Sequence, residues 1–152
     1  VLLASALLTI SLGTLVTGAG PHAGDDAADR LELDVGTVAQ LHGASAVALL
    51  AVTVAVSTRA RRQRAPEPVM DRLRWLTLAL LLQGAIGYTQ YFTGVPPVLV
   101  TAHVVGAALV WVAALELWLS VWRPTLAATP ESHTTGAAGE TAGQGDMARI
   151  DI

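Results

Sequence analysis

Three long stretches of this chain lack acids and arginines, and that absence constrains the fold more than any motif. Nothing ionisable occurs between Val1 and Gly20. A second run, Val35 to Thr58, is interrupted only by His42. A third runs from Trp75 through Leu115, with Glu116 the only acid or base from there to Arg123 and His103 inside the run. A membrane-spanning helix needs about 20 predominantly apolar residues. The third run is too long for one span, and Thr93-Gly94-Val95-Pro96-Pro97 divides it with the residues that punctuate helices. The pattern predicts helices over about 1–19, 36–58, 74–93 and 98–122. A soluble bundle would need polar stripes at the helical period, and these segments are apolar all round. The expected fold is therefore all-α: an integral membrane four-helix bundle with antiparallel transmembrane helices.

Composition agrees. Hydrophobic residues make up 53% of the 152 and charged residues 14%, against about 25% charged in an average soluble chain. So apolar a sequence is not a disordered protein. The absence of cysteine excludes a disulfide scaffold and any thiolate-held zinc or iron–sulfur centre. A net charge of -3 offers nucleic acid no basic surface.

All nine cations are arginines, and their distribution sets an orientation. Arg59, Arg61, Arg62, Arg64, Arg72 and Arg74 crowd the connection between the second and third helices, opposed only by Glu67 and Asp71. The connection between the first and second carries Asp25, Asp26, Asp29, Glu32 and Asp34 with a single Arg30. Positive residues stay inside, so the arginine-rich end is expected in the cytoplasm with both termini, and the acidic connection outside. Trp75, Trp118 and Trp122 fall near the inner ends and Tyr91 near the outer one, as interfacial aromatics do. Residues 124–152, rich in Ala, Thr, Gly and Glu, are expected to form a disordered cytoplasmic tail. The chain opens on Val inside an apolar segment, without a charged leader or cleavage site, as an alternative start codon or a piece of a longer protein would give.

Two histidines interrupt the apolar runs at matching depths. His42 lies about six residues into the second predicted helix and His103 about five into the fourth, roughly 8–9 Å inside each. Both helices run inward from the outer face, so both imidazoles share one level. An ionisable group within the membrane is costly to bury and points to function. Facing imidazoles across a bundle could ligate one haem iron from both sides. Each could instead simply hydrogen-bond a neighbouring helix carbonyl. Zinc or copper would want a third ligand at that level, and none is evident. Small residues beside each histidine (Gly43, Ala44, Ser45; Ala102, Gly106, Ala107) would admit a flat macrocycle or serve plain helix packing. Gly84 and Gly87 suggest close packing, Gln83 and Gln90 interhelical hydrogen bonds. Glu116, about four turns below His103, could pair with an arginine or relay protons. His22, in a Gly/Pro-rich outer connection, reads on chemistry alone as an exposed loop histidine; beside a haem edge, it or Arg30 could instead pair with a propionate.

Four strings in this order resemble the C-terminal half of heme A synthase, the membrane cytochrome oxidase assembly family, in its actinobacterial form. They are LGTLVTGAGPHAGD at 12–25, VAQLH at 38–42, QGAIGYTQYFTGVPP at 83–97 and LVTAH ending at His103. The resemblance covers residues 1–123. It implies the second of two tandem four-helix bundles, in a bacterial plasma membrane, with His42 and His103 as axial iron ligands of haem b. The family oxidises the methyl group of haem O to the formyl group of haem A for the terminal oxidase. The partners it implies are the lipid bilayer, the N-terminal four-helix half, haem O as the substrate of the complete enzyme, and haem O synthase. The family's first half has a catalytic Glu three residues before a histidine; the matching position before His42 is Ala39, so no catalytic residue is assigned here. Some members carry a cysteine pair in the outer connection of this half, and this chain has none. Two other readings stay open: a free-standing bis-histidine membrane cytochrome b, and an assembly subunit without a cofactor.

Overall fold

The computed structural model describes residues 1–20 and 30–127. His22, the aspartates at 25, 26 and 29, and the stretch from 128 lie outside the described residues, as do the side chains of Trp122 and Arg123. The described chain is four helices: α1 (Leu2–Ala19), α2 (Val35–Arg62), α3 (Glu67–Phe92) and α4 (Pro97–Ala127). Each packs on the next and α4 packs on α1, closing a ring, while the diagonal pairs α1–α3 and α2–α4 do not pack backbone to backbone among the described residues.

Local chemistry sets the helix boundaries. Asp34 caps α2, its carboxylate accepting from the Thr37 N–H at 2.8 Å and the Thr37 hydroxyl at 2.6 Å. These hydrogen bonds hold the Asp34 carboxyl below its ordinary pKa. Prolines open α3 and α4: Pro66 precedes α3, which has Pro68 in its first turn, and Pro97 begins α4. The α2–α3 turn passes through Arg64 at φ 54, and the α3–α4 turn through Gly94 at φ 78 and Val95 at φ 60. Glycine takes such a φ freely, whereas a β-branched residue does not. Val95 is held there by donating its N–H to the Gln90 carbonyl at 2.7 Å, with Pro96 following.

The arginine-rich connection differs from expectation. Its residues are mostly helical: α2 continues through Arg59, Arg61 and Arg62, and α3 starts at Glu67, leaving only residues 63–66 as a turn. Arginine is a good helix former, and a charge marks where a span leaves the membrane, not where the helix stops. At 1.5 Å per residue α2 is about 42 Å long, more than a hydrocarbon core of about 30 Å. At the other end, α4 runs through Pro124 to Ala127; a proline in a terminal turn deletes one hydrogen bond without ending the helix. The expected break at residue 124 is thus displaced, and the remainder of the expected tail lies outside the described residues.

Leu2–Ala19, Val35–Arg62 and Pro97–Val121 are long and apolar enough to cross a membrane. The fourth expected span, α3, does not meet that measure: Glu67, Asp71, Arg72 and Arg74 occupy its first two turns and Gln83 and Gln90 its second half. Its outward face is nonetheless apolar, with Leu78, Leu81 and Leu82 all more than half exposed.

The interior is uneven along its length. Met70, Leu73 and Leu76 of α3 pack with Val110 and Leu117 of α4, beside a second cluster of Ala6, Leu49 and Ala114. Both clusters lie toward the α2–α3 turn. The buried hydroxyls of Thr9 and Thr53 need no partner helix, since Thr9 donates to the Ser5 carbonyl and Thr53 to the Leu49 carbonyl within their own helices. The opposite half, where α2 and α4 begin, holds the histidines.

Candidate functional site

His42 and His103 meet across the ring of helices. Their imidazole centroids are 6.2 Å apart and their planes are nearly perpendicular, at 89°. The helices that carry them are diagonal, so the contact is made by side chains reaching through the interior. Matched depth on α2 and α4, read from residue spacing, is therefore realised as a direct juxtaposition.

Each imidazole is seated on a glycine of a neighbouring helix. A methyl group on Gly13 of α1 would lie 3.1 Å from Cε1 of His42, and one on Gly87 of α3 would lie 3.2 Å from Cε1 of His103. Both are tighter than ordinary contact, so glycine at these positions lets the rings approach the helix backbones. Next to Gly13, the Thr9 carbonyl lies 3.0 Å from Nδ1 of His42. A carbonyl only accepts, so Nδ1 carries the proton and donates it, and Nε2 is left with a free lone pair. The hydrogen bond to a helix carbonyl foreseen for an ordinary membrane histidine is thus present at His42, and it orients the ring in the way a metal-binding imidazole is oriented.

His103 differs. Its Nδ1 is buried without a hydrogen-bond partner, and so are Oε1 of Gln83 and Oε1 of Gln90. Gln83, Gly87 and Gln90 stand at helical spacing on α3 toward His103, and the Gln83 amide packs directly against Gly106 of α4, one turn from His103. The interhelical hydrogen bonds expected of Gln83 and Gln90 are accordingly not made by their carbonyl oxygens. Gly84, expected to serve close packing, has nothing within 4 Å of a would-be methyl group; Gly43, beside His42, is equally open. Only Gly87 of the α3 pair is a packing glycine.

The other flagged residues do not join the pair. Glu116 is exposed and has no ion-pair partner among the described residues, where the salt bridges are those of Arg74 with Asp71 and Glu67. It follows His103 by about 20 Å of helix rise. Arg30 is exposed; the next residue ties it to the end of α1, where the Leu31 N–H donates to the Gly18 carbonyl at 3.1 Å. His22 lies outside the described residues. No group of three or more His, Cys, Asp or Glu able to hold a metal ion occurs among the described residues, so a metal site here rests on two imidazoles and whatever else the metal brings with it.

Sequence reasoning found the two histidines but not their seats. The Thr9 carbonyl is backbone and has no signature in residue type. Gly13 did have one, being a glycine inside an otherwise apolar helix. Compared with known proteins, the chain matches no family model, no curated protein and no solved structure.

Proposed function

We propose that residues 1–123 are the haem-b-binding second bundle of a heme A synthase, an antiparallel four-span bundle in a bacterial plasma membrane that supports oxidation of the haem O methyl group. The observation that carries this reading is the 6.2 Å separation of the imidazole centroids. Two imidazoles that each gave a nitrogen to one metal at about 2 Å would have centroids about 6 Å apart. An edge-to-face ring pair meets that spacing as well; what favours a bound group over plain packing is the unpartnered buried Nδ1 of His103. The donor set fits as well: two neutral nitrogen ligands and no thiolate or carboxylate suit a haem iron that already has four nitrogens.

Within this reading each residue has a limited task. His42 offers Nε2 because its Nδ1 proton is committed to the Thr9 carbonyl. His103 offers a ring nitrogen from the opposite helix. Gly13 and Gly87 let both rings sit against backbone. Arg30, near the end of α1, would pair with a propionate on this reading. The haem, when bound, supplies one-electron transfer. His42 and His103 would both be used in holding a haem, which would leave neither to serve oxygen chemistry. Ala39 stands where the family's first half has its acid, and Glu116 is too distant to replace it. The role is thus electron delivery to a substrate haem held by a first bundle.

The test begins with the absorption spectrum of the purified chain loaded with haem. A low-spin six-coordinate spectrum is expected, lost or converted to high spin in His42→Ala and in His103→Ala; spectra that do not change in either variant refute the ligand assignment. The chain is then expressed with a source of haem O in cells lacking their own heme A synthase. Haem A should appear only when a first bundle is supplied. A low-spin spectrum with no haem A even then would favour the free-standing cytochrome b.

A further inference from the structure

Five arginines at the α2–α3 end are not consumed by the fold. Arg74 is taken by Asp71 at 2.6 Å and Glu67 at 3.5 Å, whereas Arg59, Arg61, Arg62, Arg64 and Arg72 have no carboxylate partner among the described residues. Two of the five share a cavity. Arg59 and Arg62, three residues apart on α2, line an open groove of about 350 Å³ together with Ala55, Thr58 and Gln63. That is room for roughly ten water molecules, enough for a phosphate and a small polar substituent.

The groove continues a surface stripe. Val47, Ala51, Val54, Ala55, Thr58 and Arg62 follow one another at helical spacing and are all exposed, Val47 by 59% and Val54 by 46%. Along a single face α2 therefore passes from bare aliphatic surface to a hydroxyl and then to paired guanidiniums, the same sequence of polarity that a phospholipid presents from chain to headgroup. We propose that this end of α2 binds an anionic phospholipid, with Arg59 and Arg62 holding its phosphodiester and the stripe above them receiving its acyl chains. The inference rests on the reading of α2 as a membrane span.

The electrostatics favour an anion despite the helix terminus. The C-terminal end of a helix carries roughly half a negative charge, which two full guanidinium charges in the groove outweigh. Arginine also presents a planar fork that takes two phosphate oxygens at once, which the point charge of a lysine cannot do, and every cation in this chain is arginine. A headgroup with net negative charge gains further from Arg61, Arg64 and Arg72 nearby, which discriminates it from a zwitterionic one.

The chain is reconstituted in nanodiscs of phosphatidylcholine doped with phosphatidylglycerol, extracted in mild detergent, and its retained lipid counted by native mass spectrometry. Phosphatidylglycerol should be retained selectively. The double variant R59Q/R62Q should retain it about a hundredfold less well, since each substitution removes a charge-assisted hydrogen bond to the phosphodiester, while R64Q/R72Q, with the same loss of charge outside the groove, should lose at most about thirtyfold, one surface charge per substitution. Equal losses in the two double variants would show a diffuse field and overturn the site. Release of the lipid by millimolar inorganic phosphate would overturn it in favour of a free-phosphate site. A chain that stays out of the discs overturns the membrane reading and this site with it; a chain that enters them and retains both lipids alike overturns the site alone.

Discussion

Adding one methyl group to Gly13 or Gly87 should weaken the histidine site without weakening the bundle. At Gly13 the new carbon would lie 3.1 Å from Cε1 and 3.4 Å from Nδ1 of His42, and at Gly87 it would lie 3.2 Å from Cε1 of His103. Relief requires each ring to move by a few tenths of an ångström. Metal–ligand distances tolerate only about 0.2 Å, and overpacking of this kind costs about 1–3 kcal/mol. Against that, alanine favours a helix over glycine by roughly 1 kcal/mol. The two effects oppose each other in the stability of the fold and do not oppose each other at the imidazoles. Gly13→Ala and Gly87→Ala should therefore bind haem about tenfold more weakly, with a spectrum shifted toward high spin, while helicity and the unfolding midpoint stay near those of the parent. Gly43→Ala and Gly84→Ala provide the control, since a methyl group there meets nothing within 4 Å; they gain the propensity without the clash. Haem titration followed by absorption, with thermal unfolding by circular dichroism, reads both quantities. If all four variants bind haem alike, the seats of His42 and His103 do not matter and the reasoning fails.

Three further outcomes follow from single contacts. Asp34, whose pKa is lowered first by the Thr37 hydroxyl and then by the Thr37 N–H, contributes to the start of α2 above the ordinary carboxylate range and loses that contribution as pH falls through its depressed folded value; protection of the Thr37 amide from hydrogen exchange should drop in that acid window, and Asp34→Asn should remove the pH dependence. Cysteines introduced at Glu32 and Gln63 should differ in intact cells, position 32 being labelled by an impermeant thiol reagent and position 63 protected; the reverse would overturn the orientation read from the arginines. Gln83→Leu removes a buried carbonyl oxygen that has no donor, so the unfolding midpoint should rise by about 2–4 °C; a fall would mean that this oxygen is hydrogen-bonded in the membrane.

How much of this was legible in the sequence depends on which kind of interaction did the work. The apolar runs were legible because desolvating a charge is expensive enough to exclude arginines and acids from whole segments, and three of the four expected spans have the length and composition to cross a membrane. The ends were not. Arg59 to Arg62 and Glu67 to Arg74 looked like a connection because they are charged, yet they are helix, since leaving the apolar phase and leaving the helix are separate events. The histidine pair was legible because an imidazole in an apolar run is conspicuous and helix rise converts residue number to depth. Its surroundings were not: the Thr9 carbonyl is anonymous, and of Gly84 and Gly87 only the structure distinguishes the one that touches a ring from the one that faces open space. Gln83 and Gln90 were expected to find partners across helices, and the carbonyl oxygens of both are without one.

The arrangement of the helices would give a group held between the histidines a further consequence. Consecutive helices pack against each other, but α2 and α4 do not approach closely among the described residues, and their meeting is made by two imidazoles. At the other end α3 and α4 are joined by Met70, Leu73, Leu76, Val110 and Leu117, with Ala6, Leu49 and Ala114 beside them. The base of the bundle is thus fixed by aliphatic packing, while the width of the histidine end depends on what lies between the rings. His42 is bonded to α1 through Thr9 and His103 is seated on α3 through Gly87. A group bridging the two nitrogens therefore ties the α1–α2 pair to the α3–α4 pair in the half of the interior where leucines do not. A ligand that binds only this folded arrangement must stabilise it in proportion to its affinity. The stabilisation should concentrate in the first halves of α2 and α4, which hydrogen exchange can resolve residue by residue, and it should vanish in His103→Ala while the aliphatic base remains protected.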